Sequence, residues 1–138
     1  MKDTKDQKYA FEMTMRVRDY EVDSQGIVNN AVYLHYLEHT RHEFCRVGGV
    51  SFRELHEKGL DPVVRKVEIE YLHSLTLCQE FVSKLRPERR QGPRFIFQQD
   101  IFSDEGVHII TARVTVVCLD HGKLCRGDEL AEAFSQYF

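Results

Sequence analysis

Asp23 stands six residues before Asn29, and Gly26 between them lets the backbone bend sharply. The spacing predicts a helix that starts at Asn29 or Asn30. A helix start exposes unpaired N–H groups and a partial positive charge. Such an end can bind a carbonyl oxygen and stabilise it as it becomes anionic. A carboxylate held beside it is placed to attack that carbonyl or to activate a water. The plainer reading is that Asp23 only caps the loop or the helix. The residues by themselves leave both readings open.

Other groups invite chemistry less strongly. His35, His39 and His42 follow one another at spacings of four and three, so they share a helix face and imidazoles so placed can bind a metal. That face also carries Glu38 and Arg46 and lies opposite the apolar stripe, which makes it a solvated or interface face, and no metal is expected. Cys45, Cys78, Cys118 and Cys125 include no pair at the two-residue gap of a zinc or redox motif and read as reduced thiols. Arg86, Arg89, Arg90 and Arg94 gather about one turn, either as a solvated hairpin or as a phosphate dock suited to arginine's fork. The sequence has no G-x-S-x-G elbow, no Walker A loop and no G-x-G-x-x-G, and His42-Glu43 lacks the second His of a zinc-protease helix. No cofactor is expected.

The elements that must position Asp23 can be read from periodicity. Residues 1–9 are polar and expected to fray. Phe11, Met13, Met15 and Val17 alternate with polar residues, the period of a half-buried strand. The helix then runs from Asn29 to Val47, with Tyr33, Tyr36, Leu37, Thr40, Phe44 and Val47 on one face and Gly48-Gly49 as its stop. Ser51-Phe52-Arg53-Glu54 is a capping box opening a short second helix. Strands are predicted over 63–72, 80–87, 94–102 and 107–119, and a short last helix over 128–136. In the first of these, Val63, Arg65, Val67, Ile69 and Tyr71 are expected on one face. In the long fifth strand Ile110, Ala112, Val114, Val116 and Cys118 form the apolar side. Close-set strands joined by short turns want antiparallel pairing. One long helix with a broad apolar stripe wants a sheet to cover it, so an α+β domain with an antiparallel sheet curled around a single helix is the expectation.

Composition agrees with one such domain. The chain has 138 residues, 42% of them apolar, too many for disorder. A chain of this size buries roughly 68% of its unfolded surface, enough for a core without disulfides. The net charge of −3 makes a nucleic-acid partner a poor expectation. No apolar run approaches the roughly 18 residues of a membrane span, and the charged N-terminus reads as neither a secretory signal nor a transit peptide, so the cytosol is expected.

The run Val17-Arg18-Asp19-Tyr20-Glu21-Val22-Asp23-Ser24-Gln25-Gly26-Ile27-Val28-Asn29-Asn30-Ala31-Val32-Tyr33 resembles the active-site segment of hotdog-fold thioesterases of the 4-hydroxybenzoyl-CoA thioesterase type. Within that type it looks most like the plant acyl-lipid thioesterases, which act on fatty acyl-acyl carrier protein. His39, Arg41, His42, Glu43 and Phe44 extend the likeness, which spans residues 17–44. The sequence departs from it at Ile27, where many relatives have His. It departs again at Ser74, Cys78 and Gln79, where many have Pro, Gly and Asp.

The resemblance implies a single hotdog domain over residues 10–138 that hydrolyses acyl-CoA or acyl-acyl carrier protein. Asp23 would be the catalytic carboxylate and Asn30 the source of the N–H that polarises the thioester carbonyl. Gly26, Val28, Asn29 and Tyr33 would border the substrate, and, on the chemistry of their guanidinium groups, Arg89 and Arg90 are the expected contacts to its carrier. A non-catalytic acyl-CoA or acyl-carrier binding module is the alternative. A hotdog hydratase is a weaker one, because Val28 stands where its working His would be. The long fifth strand and the resemblance together suggest an edge-to-edge homodimer or a homotetramer.

Overall fold

The computed structural model describes residues 9–88 and 90–135. β1 (Phe11–Arg16) leads through a 3₁₀ turn at Asp19–Glu21 to α1 (Val32–Val47) and the short α2 (Phe52–Glu57). Five strands follow: β2 (Leu60–Tyr71), β3 (Glu80–Pro87), β4 (Arg94–Ser103), β5 (His108–Asp120) and β6 (Lys123–Cys125). α3 (Asp128–Ala133) closes the described chain, shorter than the predicted 128–136, of which residue 136 lies outside the described residues. Residues 1–8 of the predicted frayed terminus also lie outside them. Tyr9 is docked, its hydroxyl donating to Asp100 Oδ2 at 2.9 Å.

Every pairing is antiparallel, and the strands lie in the order β1-β3-β4-β5-β2, with β6 added to β5. The expected sheet around one helix is therefore present. β5 is interior, held by β4 and β2 on its two sides, so the free edge beside it belongs to β2. The long fifth strand thus offers no open edge among the described residues.

Alternation works where the strands are regular. Phe95, Phe97 and Ile101 of β4 and Ile110, Ala112, Val114 and Cys118 of β5 are all buried. Ile101, Ile110 and Ala112 meet Tyr33, Tyr36 and Leu37 of α1 in one apolar cluster, and Phe95, Phe97 and Val114 meet Phe44, Cys45, Leu55, Leu130 and Phe134 in a second. Each buried Val, Leu, Ile or Phe side chain among them contributes about 1.5–3 kcal/mol by leaving water. A polar seam joins helix to sheet between the clusters. Thr40 Oγ1 and Ser83 Oγ lie 2.7 Å apart, and the Gln99 amide donates to Leu37 O while accepting from Arg41.

Three expectations change. α1 begins at Val32, because residues 29–31 form a turn in which the Asn29 side chain accepts the Ala31 N–H at 3.2 Å. Val47 is 65% exposed, and Cys45 is buried in its place, where α2 and the segment before it cover that flank of α1. In β2 the pairing with β5 skips Arg65, with Val64 opposite Val116 and Lys66 opposite Thr115. This bulge shifts the alternation, so that Val64, rather than Val63 and Arg65, shares the helix-side face with Val67, Ile69 and Tyr71.

Candidate active site

The segment between β1 and α1 folds into a tight hairpin. Val22 and Val28 form an antiparallel bridge, and the Asp23 N–H donates to Ile27 O at 2.9 Å. The Gly26 N–H returns to Asp23 O at 3.0 Å, and Gly26 has φ +80°, a left-handed conformation that a side chain would strain. Asp23 stabilises the turn with one oxygen, since Oδ1 accepts from the N–H groups of Gln25 at 2.8 Å and Ile27 at 3.4 Å. Among the described residues Oδ2 has no hydrogen-bond partner, and the side chain is exposed.

The hairpin is tied at its base by the other carboxylate. Glu21 is buried. Its Oε1 accepts from the Arg18 N–H at 2.7 Å and the Tyr36 hydroxyl at 2.8 Å, and its Oε2 lies 3.3 Å from Arg18 Nη1. Its carbonyl oxygen accepts the Asn29 N–H at 3.0 Å. Glu21 thus fixes the path into α1.

Asp23, Ile27, Val28, Asn29, Asn30 and Tyr33 line a cleft of about 390 Å³, closed on its other side by Tyr71, Leu72, His73 and Ser74. The loop after β2 is stitched to the hairpin and helix. The Val28 N–H donates to Leu75 O at 2.9 Å, and the Leu75 N–H donates to Tyr33 Oη at 3.1 Å. Burial raises the Tyr33 phenol above its ordinary pKa, so it is a neutral wall of the cleft. The Tyr71 hydroxyl donates to Asn30 O at 3.0 Å. Among the described residues no acceptor takes the Asn30 N–H, the first exposed donor before the helix. Asp23 and Asn30 therefore line one cleft, and among the described residues neither the Asp23 Oδ2 nor the Asn30 N–H has a hydrogen-bond partner.

Of the residues picked from sequence, Asp23, Val28, Asn29, Asn30 and Tyr33 come together here, while Gly26 shapes the turn outside the cleft. Tyr71 and His73 were missed. The alternation placed Tyr71 on a strand, but nothing local in the sequence signals that β2 ends beside Asn30. His73 Nδ1 lies 3.1 Å from His108 O, a contact that fixes the proton on Nδ1 and leaves Nε2 as an acceptor in the neutral ring.

The arginines sit elsewhere. Arg89 lies outside the described residues. Arg90 stacks on Phe95 with 4.8 Å to the ring centroid, donates to Gly92 O at 2.9 Å and pairs with Asp128 at 3.4 Å. Its side chain is only 17% exposed, so its guanidinium serves the hairpin and the start of α3. Their hairpin joins the sheet near Val117, and the cleft near Ile110, seven residues or roughly 23 Å along β5. On α1, His42 stacks on Phe52 and lies 3.9 Å from Glu38. Among the described residues no three His, Cys, Asp or Glu side chains are grouped to hold a metal. None of their helices is long and apolar enough to cross a membrane.

The sequence model of the thioesterase-like superfamily matches residues 17–138, nearly the whole chain. The chain belongs to that superfamily. An acyl-acyl carrier protein thioesterase from the chloroplast of Arabidopsis thaliana is 37% identical over 111 residues, which cover 80% of this chain and 59% of the relative. The chain thus spans about three fifths of that plant protein's length. The acyl-CoA thioesterase YbgC of Haemophilus influenzae is 28% identical over 118 residues, covering 83% of this chain and 85% of its own. A solved structure of a probable thioesterase from Bartonella henselae superposes with a TM-score of 0.78 at 30% identity, over 84% of this chain and 97% of that one. The antiparallel sheet around one helix is the hotdog fold of this superfamily.

Proposed function

We propose that this thioesterase-like protein hydrolyses the thioester of an acyl-CoA or acyl-acyl carrier protein to the free acid and thiol, with Asp23 and the Asn30 N–H as its working groups. One observation carries the reading: Asp23 and Asn30 line the same cleft, and among the described residues the Asp23 Oδ2 and the Asn30 N–H have no hydrogen-bond partner. The thioester oxygen sits on the Asn30 N–H, which stabilises the charge that develops there. Asp23 either attacks the carbonyl carbon, giving a mixed anhydride that water then opens, or takes a proton from an attacking water. In both routes the C–S bond breaks and the sulfur leaves with its electron pair. A thiol with a pKa of about 8.5, as for cysteine, leaves without a strong acid to protonate it, which suits a cleft this sparsely equipped.

Val28, Asn29 and Tyr33 border the acyl thioester in this reading, and Gly26 holds the turn that presents Asp23. The names of the plant and bacterial relatives support both carriers. The assembly belongs to the proposal too. β2 leaves one edge of the sheet open, and Val63, Val64, Val67 and Tyr71 along it are exposed, a surface suited to a second copy of the chain in a homodimer. A cytosolic setting, with all four cysteines as free thiols, completes it.

The test is thiol release from a panel of acyl-CoAs and matching acyl-acyl carrier proteins, read with a thiol reagent. Turnover on at least one supports hydrolysis. Tight binding without any release favours a binding module.

A further inference from the structure

His73 lines the same cleft as Asp23 and Asn30. It stands on the connection that leaves β2, between Tyr71, whose hydroxyl donates to Asn30 O, and Leu75, whose backbone is bonded to Val28 and Tyr33. The connection is thus fastened to the hairpin and to the start of α1 on both sides of His73. The imidazole is fastened as well. The His73 N–H donates to Ile109 O at 3.1 Å, and Nδ1 lies 3.1 Å from His108 O. A carbonyl oxygen can only accept, so the proton sits on Nδ1 and the lone pair of the neutral ring on Nε2. His108 is itself anchored, its Nε2 2.8 Å from an oxygen of buried Asp100 and its ring stacked on Phe102 with centroids 4.6 Å apart. Among the described residues Nε2 of His73 has no hydrogen-bond partner. An imidazole held by one nitrogen, with the other nitrogen bare beside a carboxylate, is the arrangement in which histidine works as a general base. A histidine that only closed the end of β2 would need Nδ1 alone.

We infer that His73 is a further catalytic residue of the hydrolysis, and that its Nε2 takes the proton of the water that frees the acyl group from Asp23. The inference rests on the thioesterase reading and chooses between its two routes, with Asp23 as the nucleophile. A carboxylate is a weak base near neutral pH and an imidazole a good one, so the two groups divide the work. A cleft of about 390 Å³ has room for a thioester and one water, whose share of liquid volume is about 30 Å³. Asp23 Oδ2 bonds to the thioester carbonyl carbon, the C–S bond breaks, and the sulfur leaves as a thiolate with the electron pair. A water oxygen then bonds to the acyl carbon of the mixed anhydride as one of its protons passes to His73 Nε2. The bond from that carbon to Oδ2 breaks, Asp23 recovers its carboxylate, and the acid departs and loses its own proton to solvent. The proton on Nε2 passes to the thiolate, which leaves a free thiol and a neutral ring.

The test uses His73→Asn in the full chain, because the asparagine amide can still donate to His108 O while no base remains at the position of Nε2. His73→Gln, whose amide is equally unable to take a proton near neutral pH, carries the same readings if the first variant does not fold. Circular dichroism and melting temperature check both. Thiol release from an acyl-CoA that the wild type turns over is followed by stopped flow with a thiol reagent from the first turnover onward. In the folded variant kcat should fall by about 10²–10⁴. The first thiol should still appear quickly, as a burst of one per chain, and mass spectrometry of the acid-quenched chain should find the acyl group attached to it. Asp23→Asn should give neither the burst nor the acylated chain. A folded variant whose kcat stays within about threefold of wild type overturns the inference. So does a fall in kcat with no burst and no acylated chain, because the step that needs His73 is then not the attack of water on the anhydride. If the wild type itself releases no thiol from any acyl-CoA or acyl-acyl carrier protein, the hydrolase reading fails and takes the inference with it.

Discussion

The Tyr36 hydroxyl donates to Glu21 Oε1 at 2.8 Å, and this bond separates the duties of two carboxylates that lie two residues apart in the chain. Glu21 is buried and occupied, holding the loop to α1 and to Arg18. Asp23 is exposed in the cleft with one oxygen unshared. Among the described residues their hydrogen bonds occupy both Glu21 oxygens and leave Asp23 one to spare.

Tyr36→Phe should therefore cost stability more than chemistry. It leaves a buried carboxylate one donor short, a loss of about 1–3 kcal/mol, while kcat of the folded fraction stays within a few-fold of wild type. Urea unfolding and turnover measured on the same preparation check this. A collapse of kcat without a stability change would contradict it.

The same tyrosine predicts an alkaline limit. Burial first, then the hydrogen bond and charge of Glu21, raise the Tyr36 phenol above its ordinary pKa of 10.0. The unfolded chain releases this proton near pH 10 while the folded chain keeps it. Stability from this group is thus intact below pH 10 and falls as pH rises beyond it, by about 1.4 kcal/mol per unit. Tyr9 and Tyr33 shift in the same direction. The slope of unfolding free energy above pH 10 should be shallower in Tyr36→Phe by close to one proton; equal slopes would contradict the assignment.

Cys78 stands where many relatives have glycine, and it adopts φ +64°, in the left-handed region. Cys78→Gly should relieve that strain and raise stability by about 0.5–1 kcal/mol, even after glycine's extra unfolded-state entropy. Cys78→Ala is the control, since it removes the thiol and keeps the strain, and it should give no gain. Paired thermal melts read the difference, and a gain from alanine equal to that from glycine would contradict it.

The open β2 edge predicts assembly. Light scattering should report at least twice the chain mass, and Val64→Lys/Val67→Lys should lower it toward one chain by placing charge on the exposed apolar face. A wild-type monomer at working concentration would contradict the dimer.

The sequence made some parts of this legible and hid others, for physical reasons. β3 runs over the predicted residues because its alternation is uninterrupted, with Phe81, Ser83 and Leu85 all facing the core. β2 was misread at Arg65 because a bulge depends on the partner strand, which local periodicity does not contain. The motif around Asp23 is a local hairpin, so its residues meet as their spacing suggests. Tyr71, more than forty residues away along the chain, reaches Asn30 only through the pairing of β2 with β5. Arg90 looked like a free cation, but its partners, Phe95 and Asp128, come from another strand and a distant helix.

kcat of Asp23→Asn on the best acyl thioester separates a carboxylate that performs chemistry from one that merely holds the turn. Asparagine keeps the oxygen that accepts from Gln25 and Ile27, so the fold and substrate binding should survive with a loss of about 1 kcal/mol at most. The amide is neither a carboxylate nucleophile nor a useful base near neutral pH. For Asp23→Asn, kcat should fall by about 10²–10⁴ or more with an unchanged circular dichroism spectrum, while Glu21→Gln that folds keeps turnover. A folded Asp23→Asn that retains a tenth or more of wild-type kcat would contradict it.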